Sequence, residues 1–137
     1  MKKLLTYTVP RPFFGYNIPI AIQSCFLRDY ASKKKMLFSL PLTEVVKKNS
    51  YSMFKKKFKK KKISLAMTSI FILPLKDEKL FNNLVSELNN QTALHFVLEN
   101  LILNKKTLLK WRKEYLELSK LSKNYNSFTK MFLKKST

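Results

Sequence analysis

The stretch Ile63–Leu73, reading ISLAMTSIFIL, decides the fold. It is nearly continuously apolar and rich in β-branched residues, the composition of a central strand covered on both faces of a parallel sheet. With Ser64, Thr68 and Ser69 inside it and Pro74 just after it, the stretch falls well below the ~20 apolar residues a membrane helix requires. It therefore predicts a buried mid-sheet strand.

Working outward, the segments on either side alternate between strand and helix patterns. Upstream, Leu4 to Val9 alternates Thr and Tyr within an apolar run that Pro10 ends, which reads as a first strand. Pro19 suits a helix start, and Ile18, Ile22, Cys25 and Phe26 recur at three- and four-residue spacing, so an apolar, core-facing helix is expected through about Ser32. Met36 to Leu40, closed by Pro41, reads as a second strand, followed by a loop through Glu44 and Asn49. Tyr51, Phe54 and Phe58 share a face of a short amphipathic helix.

Downstream, Asp77 and Glu78 suit a helix N-terminus, and Leu80, Phe81, Leu84, Val85 and Leu88 form the stripe behind them, ending near Asn89 and Asn90. Ala93 to Leu98 reads as a fourth strand. After Glu99 and Asn100 comes a long helix with Leu108, Trp111, Tyr115 and Leu118 on one face. The expected architecture is α/β: a small parallel sheet of about four strands with right-handed crossovers and helices on both faces, flavodoxin-like. Residues 1–122 are read as one domain and residues 123–137 as a basic amphipathic or disordered tail.

Composition narrows the function classes. The 137 residues carry 28 Lys and Arg against 8 Asp and Glu, a formal charge of +20. Such a field attracts nucleic acid, anionic lipid or phosphorylated small molecules. Only Arg11, Arg28 and Arg112 are arginines, whereas base and phosphate readout favours the guanidinium fork. The abundance of Lys, Asn, Ile and Phe also fits an AT-rich coding sequence. The densest run, Lys55–Lys57 with Lys59–Lys62, lacks the interleaved aromatics of a stacking platform and reads as a solvated helix end.

Cys25 is the sole cysteine, so no internal disulfide is possible and no cysteine-based zinc site is expected. The single glycine, Gly15, excludes a glycine-rich phosphate loop, and no HExxH or CxxC spacing occurs. No metal and no cofactor are expected. The apolar run behind Lys2 and Lys3 is too short for a signal-peptide core, so a cytoplasmic protein without a transmembrane segment is expected.

In parallel sheets of this kind ligands bind beyond the carboxyl ends of the strands. Four expected strand ends bring together Arg11, Glu44, Ser69 with Phe71, and Glu99 with Asn100. Arg11 suits a carboxylate or phosphate, while Glu44 and Glu99 suit hydroxyl binding or proton transfer. The alternative is a structural ion pair between Arg11 and one of them. Gln23, Arg28 and His95 are supporting candidates. Alternation puts His95 with Val97 on one sheet face and Phe96 with Leu98 on the other, one layer below the crevice for His95.

Read together, RPFFGYNIPIAIQ from Arg11, LRDY at Leu27–Tyr30, LPLTE at Leu40–Glu44, SIFILP at Ser69–Pro74 and HFVLEN at His95–Asn100 form an ordered set. Over roughly Thr6 to Asn104 this set resembles the sporadic carbohydrate cluster protein family. That resemblance implies a product of bacterial gene clusters that make surface carbohydrates, with no defined reaction. More distantly the strand pattern resembles the catalytic domain of serine recombinases, which implies a resolvase-like fold. Their nucleophilic serine would fall near Val9 or Pro10, and SIFILP supplies none of their arginines.

The expected function is accordingly an accessory or enzymatic role in surface-polysaccharide biosynthesis, with a sugar or nucleotide-sugar held by Arg11, Glu44, Ser69, Glu99 and Asn100. Two alternatives are a nucleic-acid binding module, ranked behind it, and a non-catalytic partner of a carbohydrate-biosynthesis enzyme such as a glycosyltransferase.

Overall fold

Strand β1 (Lys3–Thr8) is an interior strand of the sheet, and Leu4, Tyr7 and the residue beyond it, Val9, are fully buried. Helix α1 (Ile20–Lys33), strands β2 (Leu37–Phe38) and β3 (Leu42–Thr43), helix α2 (Ser52–Phe58), strand β4 (Ser64–Met67), helix α3 (Glu78–Ser86), strands β5 (Ala93–Phe96) and β6 (Leu101–Leu103) and helix α4 (Lys105–Ser136) follow. The computed structural model describes residues 2–13, 15, 17–44, 51–58 and 62–136, with side chains of residues 56–58 and 123–136 excluded. The expected loop through Asn49 and the lysines at 59–61 lie outside the described residues, as do the motif residues Phe14 and Tyr16.

The sheet has six strands in the order β2-β1-β4-β5-β6, with β3 also paired to β1. All pairings are parallel except β5 with β6. The fold is thus α/β as expected, with two strands more than the sequence reading gave. One of them, β3, continues the edge beyond Pro41, which the sequence reading took as a terminator. An edge position tolerates proline because its missing N–H has no ladder partner to satisfy. Side chains bridge the interruption: Thr6 Oγ1 donates to the Ser39 carbonyl at 3.0 Å and Ser39 Oγ to the Leu4 carbonyl at 2.8 Å.

The other added strand, β6, returns from β5 through residues Val97–Asn100, pairing Phe96 with Leu101. Asn100 has φ 53°, and the Asn100 amide donates to the Val97 carbonyl. Asparagine tolerates this left-handed conformation better than most residues, which suits it to end a tight reversal.

The deciding stretch is a buried central strand only as far as Met67. Leu65, Ala66 and Met67 have no exposed surface, and each Leu or Met buried in this way contributes about 1.5–3 kcal/mol. Beyond Met67 the same apolar run becomes a 3-10 turn at Ile70–Ile72, because Ser69 caps it by accepting from the Phe71 amide at 3.1 Å. Composition could not show this change, since the turn is also buried.

Helices cover both faces. Leu27, Tyr30 and Ala31 of α1 cluster with Leu4 of β1 and Ala66 of β4. On the opposite face the Tyr7 ring meets Phe54 of α2 edge-on at 5.3 Å. Helix α3 is capped by Asp77, which accepts from the Leu80 amide at 3.1 Å, and buries Phe81, Leu84 and Val85.

The buried face of α1 differs from the one expected. Ile22 and Phe26 are 46% and 38% exposed and Cys25 is exposed, whereas Gln23, Leu27, Tyr30 and Ala31 face inward. Side-chain hydropathy misassigned the face because two inward residues are polar and satisfy their polar atoms inside.

The chain forms two compact units, Met1–Lys106 and Thr107–Thr137. Helix α4 runs without interruption from Lys105 to Ser136, across the boundary between residues 122 and 123 at which the sequence reading places the start of a tail. Among the described residues no helix is long and apolar enough to cross a membrane.

Candidate functional site

Strand order reverses at β1: the chain leaves it for the β2/β3 edge through α1, then crosses back to β4 through α2. The carboxyl ends of β1 and its neighbours are therefore the edge at which sheets of this kind bind ligands. Two side-chain clusters occupy that edge, one on each side of the 3-10 turn at Ile70–Ile72.

Glu44, immediately after β3, organises the first cluster. It is 2% exposed. Its Oε2 accepts from the Tyr7 hydroxyl at 2.5 Å, and its two oxygens accept from the Met53 and Phe54 amides at 2.9 and 3.4 Å. The carboxylate thus fastens the first turn of α2 to the sheet. Burial drives the Tyr7 phenol far above its usual range, and the bond to Glu44 raises it further. The Tyr7 phenol therefore keeps its proton at any ordinary pH.

Arg11 completes this cluster. Its guanidinium lies 4.4 Å from the centroid of the Tyr51 ring, within cation–π range. The Tyr51 hydroxyl donates to the Ile72 carbonyl at 2.8 Å, which ties this platform to the 3-10 turn. Burial also raises the Tyr51 phenol, and the Arg11 charge opposes that rise. The guanidinium is thus seated on an aromatic ring, a contact that the ion-pair alternative for Arg11 did not include.

Glu99 organises the second cluster. Its Oε1 accepts from the Ile70 amide at 2.6 Å and its Oε2 from Ser69 Oγ at 2.9 Å. Glu99 and Ser69 together hold the start of the 3-10 turn. Both carboxylates of the site therefore bind backbone N–H groups, which stabilises the loops that form the crevice. Between the clusters, just beyond the end of β4, Thr68 is fully buried and its hydroxyl has no hydrogen-bond partner among the described residues.

The remaining sequence candidates lie elsewhere or play other parts. Asn100 is exposed in the β5–β6 reversal. Gln23 is fully buried, and its amide brackets the start of α1 and the end of β1. Its Nε2 donates to the Val9 and Ile18 carbonyls, both at 2.8 Å, and its Oε1 accepts from the Val9 amide at 3.3 Å. That clamp fixes the loop from which Arg11 projects. Arg28 is exposed over the Phe38 ring at 5.3 Å, beside the amino-terminal half of β1.

His95 lies on the α1 face of the sheet, with Nδ1 2.6 Å from the Tyr30 hydroxyl and the rings edge-on at 5.5 Å. Burial lowers its pKa, and the charges of Lys34 and Lys2 lower it further. The Tyr30 phenol is raised by burial. These shifts favour neutral imidazole accepting at Nδ1 from a protonated tyrosine.

Sequence reasoning missed Tyr7, Tyr51 and Thr68. The two tyrosines carried a signal, since a tyrosine at an inward strand or helix position needs a partner for its hydroxyl. Thr68 carried none. Among the described residues no three His, Cys, Asp or Glu side chains converge as metal ligands. Comparison with protein-family models, with curated proteins and with solved structures finds no match.

Proposed function

We propose that this protein binds an anionic sugar derivative, a sugar phosphate or nucleotide-sugar, at the crevice between the carboxyl ends of its strands, and serves surface-polysaccharide biosynthesis. The observation that carries the reading is the Arg11 guanidinium held over Tyr51 at the strand-order reversal. A planar cation fixed on a ring suits a phosphate or carboxylate. The motif set from Arg11 to Asn100 supports the carbohydrate context.

Glu44 and Glu99 act in this proposal as anchors of the binding loops. Their oxygens are engaged by backbone amides and hydroxyls, so the proton-transfer role considered for them has little geometric support. The site is read as one of recognition, and no reaction is assigned to it.

The test is thermal stabilisation of the purified protein by nucleotide-sugars, sugar phosphates and short DNA, with Arg11→Ala alongside. A ligand that binds only the folded state at a hundredfold excess over its Kd stabilises it by about 2.7 kcal/mol. The expected result is a shift with a phosphorylated sugar that Arg11→Ala abolishes. A shift with DNA alone, falling steeply with salt, would replace this reading with nucleic-acid binding driven by the net charge of +20.

A further inference from the structure

We propose that residues 118–132 of α4 form a self-association seam on which a second copy of this chain docks, helix against helix. Along this continuous helix the apolar residues Leu118, Leu121, Tyr125, Phe128 and Phe132 recur at intervals of three, four, three and four. That is a 3.5-residue period, which keeps a stripe facing another helix through a left-handed supercoil. A helix that packs on a globular surface shows a broader apolar face at a 3.6-residue period. The described part of the stripe is uncovered: Leu118 and Leu121 are 65% and 63% exposed.

The charge pattern selects the occupant. A chain of net charge +20 is a poor partner for itself unless the contact surface is spared that charge. Here it is spared lysine: the flanking positions within residues 118–132 hold Ser122, Asn124, Thr129 and Met131, all uncharged, and the flank just before Leu118 is the acidic Glu117. Lys120, Lys123, Lys130 and Lys134 fall at heptad positions on the far side of the helix. Flanking residues decide whether like helices attract or repel, so this arrangement permits a symmetric pair. Glu114 and Lys135 occupy the next core positions in each direction and bound the seam. An anionic lipid surface would be better served by lysines bordering a wide apolar face than by lysines opposite a narrow one.

The experiment is sedimentation equilibrium of the full chain over a wide concentration range. The expected mass is twice 16.2 kDa at high concentration, falling toward 16.2 kDa on dilution. Leu121→Asp is expected to sediment as a monomer throughout, with unchanged far-ultraviolet dichroism in dilute solution; its exposure spares the core. Lys123→Asp, on the far side, is expected to retain the dimer. A monomeric parent, a dimeric Leu121→Asp or a monomeric Lys123→Asp would each overturn the proposal. So would flotation of a monomeric parent with phosphatidylglycerol vesicles, which would assign the stripe to a lipid surface.

Discussion

The Tyr30–His95 contact shows how one pair of residues couples folding to pH. In the unfolded chain the imidazole takes up a proton below about pH 6.5, whereas burial and the charges of Lys34 and Lys2 keep it neutral in the folded chain to lower pH. The unfolded state therefore binds more protons in that window, so the contribution is fully present above about pH 6.5 and is lost as pH falls through the folded value. A single proton changes stability by at most about 1.4 kcal/mol per pH unit. Denaturant titrations of the parent and His95→Gln between neutral and mildly acidic pH are expected to give a shallower pH dependence for the variant. Equal slopes would mean that His95 is protonated as readily folded as unfolded. Tyr30→Phe, which leaves the buried Nδ1 without its donor, is expected to cost about 1–3 kcal/mol at neutral pH.

At the level of elements, the end of α1 carries a correctable strain. Lys35 has φ 55°; its amide donates to the Ser32 carbonyl at 3.1 Å, and the Met36 amide donates to the Ala31 carbonyl at 2.9 Å. This is the Schellman arrangement, whose left-handed position glycine fills most readily. A side chain there costs about 1–2 kcal/mol, and the greater backbone freedom of glycine in the unfolded chain returns about 0.5–1 kcal/mol of that. Lys35→Gly is therefore expected to stabilise the protein by about 0.5–1 kcal/mol in urea unfolding, and a destabilised variant would refute the strain. The same helix shows what the sequence revealed and what it concealed. Its existence and start were legible from Pro19 and the spacing of Ile22, Cys25 and Phe26, yet those residues are solvent-facing. The inward face was hidden because Gln23 and Tyr30 satisfy their polar atoms only through Val9, Ile18 and His95, partners that the tertiary fold supplies. Glu44 and Glu99 were legible as strand-end carboxylates, but their engagement with the Met53 and Ile70 amides required α2 and the 3-10 turn to be in place. Strand β3 was obscured by Pro41, and β6 by its three-residue length.

Over the whole molecule, 28 basic residues face 8 acidic ones, and Glu44 and Glu99 turn their charge toward backbone amides. The folded chain concentrates like charges that the unfolded chain holds farther apart, so self-repulsion opposes folding. Salt shortens the reach of that repulsion, from about 30 Å at 0.01 M to about 10 Å at 0.1 M ionic strength. The melting temperature is thus expected to rise with sodium chloride, and a gain of about 1 kcal/mol corresponds to roughly 4–8 °C for a domain near 100 residues. Chloride and sulfate at matched ionic strength separate screening from occupation of a site. Sulfate also strengthens burial in general, so both the parent and Arg11→Ala gain from it. A sulfate excess confined to the parent would place an anion at the Arg11 guanidinium over Tyr51. Equal gains in the two proteins would show that the excess is solvent-wide and that Arg11 holds no free anion. A melting temperature insensitive to chloride would mean that the lysines are as far apart folded as unfolded, leaving the charge of +20 without a cost to stability.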